Sequence, residues 1–105
     1  MAISERTKIK NDLLEQLKTR SMTQSYYISL IDDYLALWDV KNELIEDIKK
    51  RGVSIVYNNG GGQKGRKKND SVAELNKTNM QMLKLLSELG LRGADYKTPE
   101  EDFEL

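Results

Sequence analysis

The chain has 105 residues, with 17 basic and 17 acidic side chains, 38% hydrophobic residues, and neither histidine nor cysteine. That length fits one domain, and the polar composition suits amphipathic helices better than a thick two-sided sheet. Histidine-based acid–base chemistry, Ser-His-Asp hydrolysis, cysteine nucleophiles, disulfide scaffolds and most zinc sites are excluded, so neither a metal nor a cofactor is expected.

No apolar run approaches the roughly 18 to 20 residues needed to cross a bilayer, and the N-terminus lacks the layout of a signal peptide. A cytoplasmic protein with no membrane partner is expected. The net charge of zero hides an asymmetry: residues 94–105 hold Asp95, Glu100, Glu101, Asp102 and Glu104 against Lys97. Residues 1–93 are left with 16 basic and 12 acidic groups, a net of +4. A mildly basic body with an acidic tail is compatible with nucleic-acid binding.

The first predicted helix runs from about Ser4 to Lys18, where Ile9, Leu13, Leu14 and Leu17 recur at a spacing of three and four. Ser21-Met22-Thr23-Gln24 has the form of a capping box for the next helix, with Thr23 as the competing cap. From there Tyr27, Ile31, Tyr34, Trp38, Ile45 and Ile48 mark one long amphipathic helix that ends near Arg51, with Gly52 placed to stop it. Some 28 residues at 1.5 Å each give roughly 42 Å, longer than a globule of this size is wide. Part of its apolar stripe is therefore expected to pack on another copy of the chain. Tyr27, Ile31, Tyr34, Trp38 and Ile45 are the candidate interface residues, their aromatic rings serving packing or a subunit seam in preference to base stacking.

Val53-Ser54-Ile55-Val56-Tyr57 changes to a strand-like period, and Asn58-Asn59-Gly60-Gly61-Gly62 has turn chemistry, so a β-hairpin is predicted at about 53–68. Ser71-Val72-Ala73-Glu74 repeats the capping-box form ahead of a third helix carried by Val72, Leu75, Asn79, Met82, Leu86 and Leu89, closing at Gly90. Thr98-Pro99-Glu100-Glu101 is a helix-start signal inside the acidic tail. The expected architecture is thus mainly all-α, three helices with one of them long and a small hairpin, over residues 1–93. Residues 94–105 form the tail.

Gly60-Gly61-Gly62-Gln63-Lys64-Gly65-Arg66-Lys67 nearly spells a phosphate-cradling nucleotide loop. It fails where the chemistry is done, because Arg66 replaces the lysine that reaches phosphate and Lys67 replaces the Ser or Thr that holds magnesium. Lys64, Arg66, Lys67 and Lys68 nevertheless form the densest basic cluster in the chain. They suit DNA phosphates, and they equally suit a solvated surface loop. Lys8, Lys10, Lys18 and Arg20 make a second basic group, on and after the first helix, with the same two readings. Asp32-Asp33 and Glu46-Asp47 are read as solvated faces.

The order of these features resembles the P27-like family of phage terminase small subunits. The likeness rests on the long helix with Tyr27, Ile31, Tyr34 and Trp38, its ending Ile48-Lys49-Lys50-Arg51-Gly52, the extended Val53–Tyr57 with its glycine turn, the basic Lys67-Lys68-Asn69, and the closing Leu86-Ser87-Glu88-Leu89-Gly90-Leu91. It covers roughly residues 10–91. The family often has Asn-Pro where Asn69-Asp70 stands here, and often continues past Leu-Gly-Leu with Thr-Pro where this chain has Arg92-Gly93. The resemblance implies a non-enzymatic subunit that assembles into a ring-like homo-oligomer in the host cytoplasm. It also implies binding of double-stranded viral DNA and regulation of a separate large subunit bearing the ATPase and nuclease. The acidic tail, ending in Phe103 and Leu105, is the candidate docking segment for that subunit. The rival expectation is a helical adaptor that binds only protein.

Overall fold

The computed structural model describes residues 3–60 and 63–91, which form three helices and one two-stranded sheet. The elements are α1 (Glu5–Thr19), α2 (Ser25–Arg51), β1 (Ser54–Gly60), β2 (Gln63–Lys68) and α3 (Asp70–Glu88). This is the mainly helical fold with a small hairpin that the residue pattern predicts. The tail with its Thr98 helix start lies outside the described residues. The chain divides into two compact units, Met1–Leu35 with Met82–Leu105, and Ala36–Gln81.

The first unit holds the apolar core. Leu13 and Leu17 of α1, Ile31 and Leu35 of α2, and Leu89 and Leu91 after α3 are buried together, flanked by Tyr27, Leu30, Tyr34 and Leu86. Each fully buried aliphatic side chain contributes about 1.5–3 kcal/mol relative to exposure. Ser4 caps α1, its hydroxyl accepting the Thr7 N–H at 3.1 Å.

Two helix ends in this unit close by the same device. After α1, Ser21 takes φ +57°, its N–H reaches the Lys18 carbonyl at 3.0 Å, and the Met22 N–H reaches that of Leu17 at 2.8 Å. After α3, Gly90 takes φ +74°, its N–H reaches Ser87 at 2.9 Å, and the Leu91 N–H reaches Leu86 at 2.7 Å. Both are Schellman closures, which satisfy carbonyls orphaned at a helix end and fold the next side chain, Met22 or Leu91, onto the core. Ser21 is therefore not the cap of α2. The Gln24 carbonyl accepts from Tyr27 at 3.0 Å and Ile28 at 3.4 Å, and the helix begins at Ser25.

The second unit is organised differently. Among its described residues no hydrophobic side chain is fully buried, and the buried ones are Asn69, 1% exposed, and Thr78. β1 and β2 pair antiparallel, with Ser54 opposite Lys68, Ile55 opposite Lys67, Val56 opposite Arg66, Tyr57 opposite Gly65 and Asn58 opposite Lys64. An isolated two-stranded sheet is marginal in water. This one is tied at its base by polar side chains.

Candidate nucleic-acid interface

The hairpin leaves α2 at Gly52 and enters α3 at Asn69. Gly52 takes φ +83°, and its N–H reaches the Ile48 carbonyl at 2.7 Å, ending α2 at the predicted place. Asn69 then joins the two ends of the hairpin: its backbone N–H reaches the Val53 carbonyl at 2.9 Å and its Nδ2 donates to the Gly52 carbonyl at 2.9 Å. Its Oδ1 accepts the Ser71 N–H at 2.9 Å, which makes Asn69 the N-cap of α3. The expected cap, Ser71, lies inside the helix with its hydroxyl donating to Asp47 Oδ2 at 2.6 Å.

Asp47, expected on a solvated face, is the hub of this base. Arg51 holds it in a fork, Nε to Oδ1 at 2.7 Å and Nη2 to Oδ2 at 2.8 Å, while Asn69 Nδ2 donates to Oδ2 at 3.1 Å. The Arg51 bonds, followed by those from Ser71 and Asn69, keep the Asp47 carboxyl well below its ordinary value, outweighing the upward push of desolvation. A sequence signal for this site exists in the i, i+4 spacing of Asp47 and Arg51 together with the Asn of the family's Asn-Pro pair.

This base fixes the phase of the strands, and the phase sorts the cations. Successive side chains on a strand point to opposite faces. The register therefore puts Arg66 and Lys68 on one face with Val56 and Ser54, and Lys67 on the other with Ile55, Tyr57 and Gly65. The four-residue basic cluster read from sequence is thus split. Arg66, Lys67 and Lys68 are exposed, and none is paired with an acid among the described residues; Arg66 Nη1 lies 3.5 Å from the Ser54 hydroxyl. Lys64 lies in β2 with its backbone opposite Asn58. On the second face the Tyr57 ring covers Gly65, where an added Cβ would meet its hydroxyl at 2.6 Å.

Of the near-match to a nucleotide loop, Gly60 ends β1 and residues 63–67 lie in β2, so a strand stands where the helix of such a loop is needed. Among the described residues there is no cluster of His, Cys, Asp or Glu able to hold a metal ion, and no helix is long and apolar enough to cross a membrane.

The second basic group is dispersed. At about 100° per residue, Lys8 and Lys10 lie some 200° apart around α1. Lys10 approaches Asp32 of α2 at 4.0 Å. Arg20 is engaged by the end of α3, donating through Nη1 to the carbonyls of Gly90 at 2.7 Å and Leu89 at 3.4 Å. Lys8 and Lys18 are exposed. Of the candidate seam residues, Ile31 is fully enclosed within the chain's own core, 0% exposed, so its side chain is not offered to another copy. Tyr27 and Tyr34 pack on the margin of that core, and Trp38 and Ile45 are half-buried in the second unit.

Such an arrangement defines a small, mainly helical chain that presents cations on a braced hairpin. The family model described as phage terminase, small subunit, matches residues 8–99, and the chain belongs to that family. It is accordingly a phage genome-packaging protein, acting in the infected host cell. No significant match was found among curated proteins or solved structures.

Proposed function

We propose that this chain binds double-stranded viral DNA through its basic hairpin, assembles with further copies of itself, and regulates the large ATPase and nuclease subunit of terminase during packaging. The observation that supports this best is the set of exposed cations at Arg66, Lys67 and Lys68, unpaired among the described residues, on a hairpin whose base is locked by Asp47 and Asn69. Lys64 of the same strand belongs to the proposed contact. Lys8 and Lys18 are its second element, while Lys10 and Arg20 would have to leave the partners they have within the chain. Trp38 and Ile45, with the exposed margins of Tyr27 and Tyr34, form the proposed contact between copies. The acidic residues 94–105 are the proposed docking segment for the large subunit.

The test is duplex DNA binding over a salt series, together with light scattering on the free protein. Binding that weakens linearly in log–log form, by a protein heavier than a monomer, is the expected result, because cations displace condensed counterions from phosphate. Absent or salt-insensitive binding would leave the protein-only adaptor.

A further inference from the structure

We infer that a single face of the hairpin, the one bearing Arg66 and Lys68, rests on the phosphate backbone of duplex DNA, that Lys67 takes no part, and that the contact reads no base sequence. This rests on the proposal that the hairpin binds DNA, and refines it. Alternate residues of an extended strand are roughly 7 Å apart. Arg66 and Lys68 therefore stand as two cations in line, spaced to serve neighbouring phosphates along one nucleic-acid strand.

The two faces differ in what else they carry. Beside Arg66 and Lys68 are Val56, 63% exposed, and Ser54, so this face offers cations, one hydroxyl and an apolar surface suited to sugar. Base reading in a groove is done chiefly by bidentate side chains, of which Arg66 is the candidate on this face, and its Nη1 lies 3.5 Å from the Ser54 hydroxyl. The base of the same face opens on a cavity of about 550 Å³, lined by Ser54 and Lys68 from the sheet and by Asp70, Ala73 and Asn76 from α3. Asp70 sets a limit on what this cavity takes, since a phosphate is favoured at Lys68 and disfavoured at Asp70. On the opposite face Ile55 is half-buried and the Tyr57 ring, 36% exposed, covers Gly65, leaving Lys67 as its one described cation.

Four variants of the full chain, Arg66→Ala, Lys68→Ala, Lys67→Ala and Arg66→Lys, are to be titrated against two duplexes of equal length and unrelated sequence over a salt series. Thermal melts confirm that each is folded. Loss of one phosphate contact lowers the salt slope by about 0.9 per contacting copy. Arg66→Ala and Lys68→Ala are expected to show this drop on both duplexes, whereas Lys67→Ala and Arg66→Lys keep the wild-type slope. A drop in Lys67→Ala matching that of Arg66→Ala overturns the face assignment while the DNA-binding proposal stands. A loss in Arg66→Lys as large as in Arg66→Ala, or a change in preference between the duplexes, overturns the backbone mode in favour of base reading. Wild-type protein that binds neither duplex removes both proposals together.

Discussion

Asn69 Nδ2 lies 3.1 Å from Asp47 Oδ2 and 2.9 Å from the Gly52 carbonyl, so one buried amide fastens the last turn of α2 to the start of α3. Its other end caps α3. Asn69→Ala removes the cap, worth about 1–2 kcal/mol, and leaves the Gly52 carbonyl without that donor. Asn69→Asp keeps a capping oxygen but sets a second carboxylate against Asp47, so it is expected to be less stable at neutral pH than at mildly acidic pH, where one carboxyl accepts a proton. Urea titrations at both pH values check this. A neutral-pH stability for Asn69→Asp equal to wild type would show that the bond to Asp47 contributes nothing.

The Asp47 carboxyl has a pH signature of definite sign. Its folded value lies well below the ordinary 3.8, first through Arg51 and then through Ser71 and Asn69. A group whose value is lowered by folding contributes stability that is present above the ordinary value and is lost as pH falls through the folded one. Wild type should therefore lose stability steadily below about pH 4 through this group, and Asp47→Asn, already weakened at neutral pH, should lose less over the same interval. Melting temperatures measured down the acid limb for both proteins provide the comparison; parallel curves would remove Asp47 as the source.

Ser21 and Gly90 occupy the same place in two like closures, yet substitution at the two should act in opposite directions. A side chain at positive φ costs about 1–2 kcal/mol, a cost that Ser21 bears and Gly90 avoids. Ser21→Gly is expected to stabilise by about 0.5–1 kcal/mol after the added chain entropy of glycine. Gly90→Ala introduces the strain, and its Cβ would stand 2.7 Å from Arg20 Nη2, displacing the guanidinium that caps α3. The expected loss is about 1–3 kcal/mol. Thermal denaturation of the two variants should thus move the midpoint up for one and down for the other.

The long-range parts of this structure were legible to the extent that they depend on periodicity. The stripes of Ile9 to Leu17 and of Leu86 and Leu89 mark real core faces, and Gly52 and Gly90 stop their helices as turn chemistry requires. Local capping signals were less informative, because Ser-x-x-Gln and Ser-x-x-Glu motifs compete with tertiary partners. Ser21 is drawn into closing α1, and Ser71 gives its hydroxyl to Asp47, which is 24 residues away. No local pattern contains that pairing. Likewise, the count of cations in 64–68 says nothing of their separation into faces, which depends on strand register. The stripe on α2 identifies Ile31 as buried but leaves open what buries it, and α1 with the end of α3 covers what could equally have been a seam between copies.

The cap at Asn69 makes a prediction about proline at the two positions that follow it. With Asn69 as N-cap, Asp70 is the first helical residue, where a backbone N–H has no helical partner and proline is well tolerated. Asp70→Pro should leave stability within about 1 kcal/mol of wild type: the restricted unfolded chain gains about 0.4–1 kcal/mol, and the lost acidic charge at the helix start costs about 0.3–1 kcal/mol. Ser71→Pro, one residue on, deletes the N–H held by Asn69 Oδ1 and the hydroxyl held by Asp47, and it should destabilise markedly more. Hydrogen exchange of the first two turns of α3 reads the difference locally, with protection kept in Asp70→Pro and lost in Ser71→Pro. If Asp70→Pro were instead the more damaging change, Asp70 would not stand at the first helical position that a cap at Asn69 gives it, and the hairpin would lose the anchor that sets its basic face.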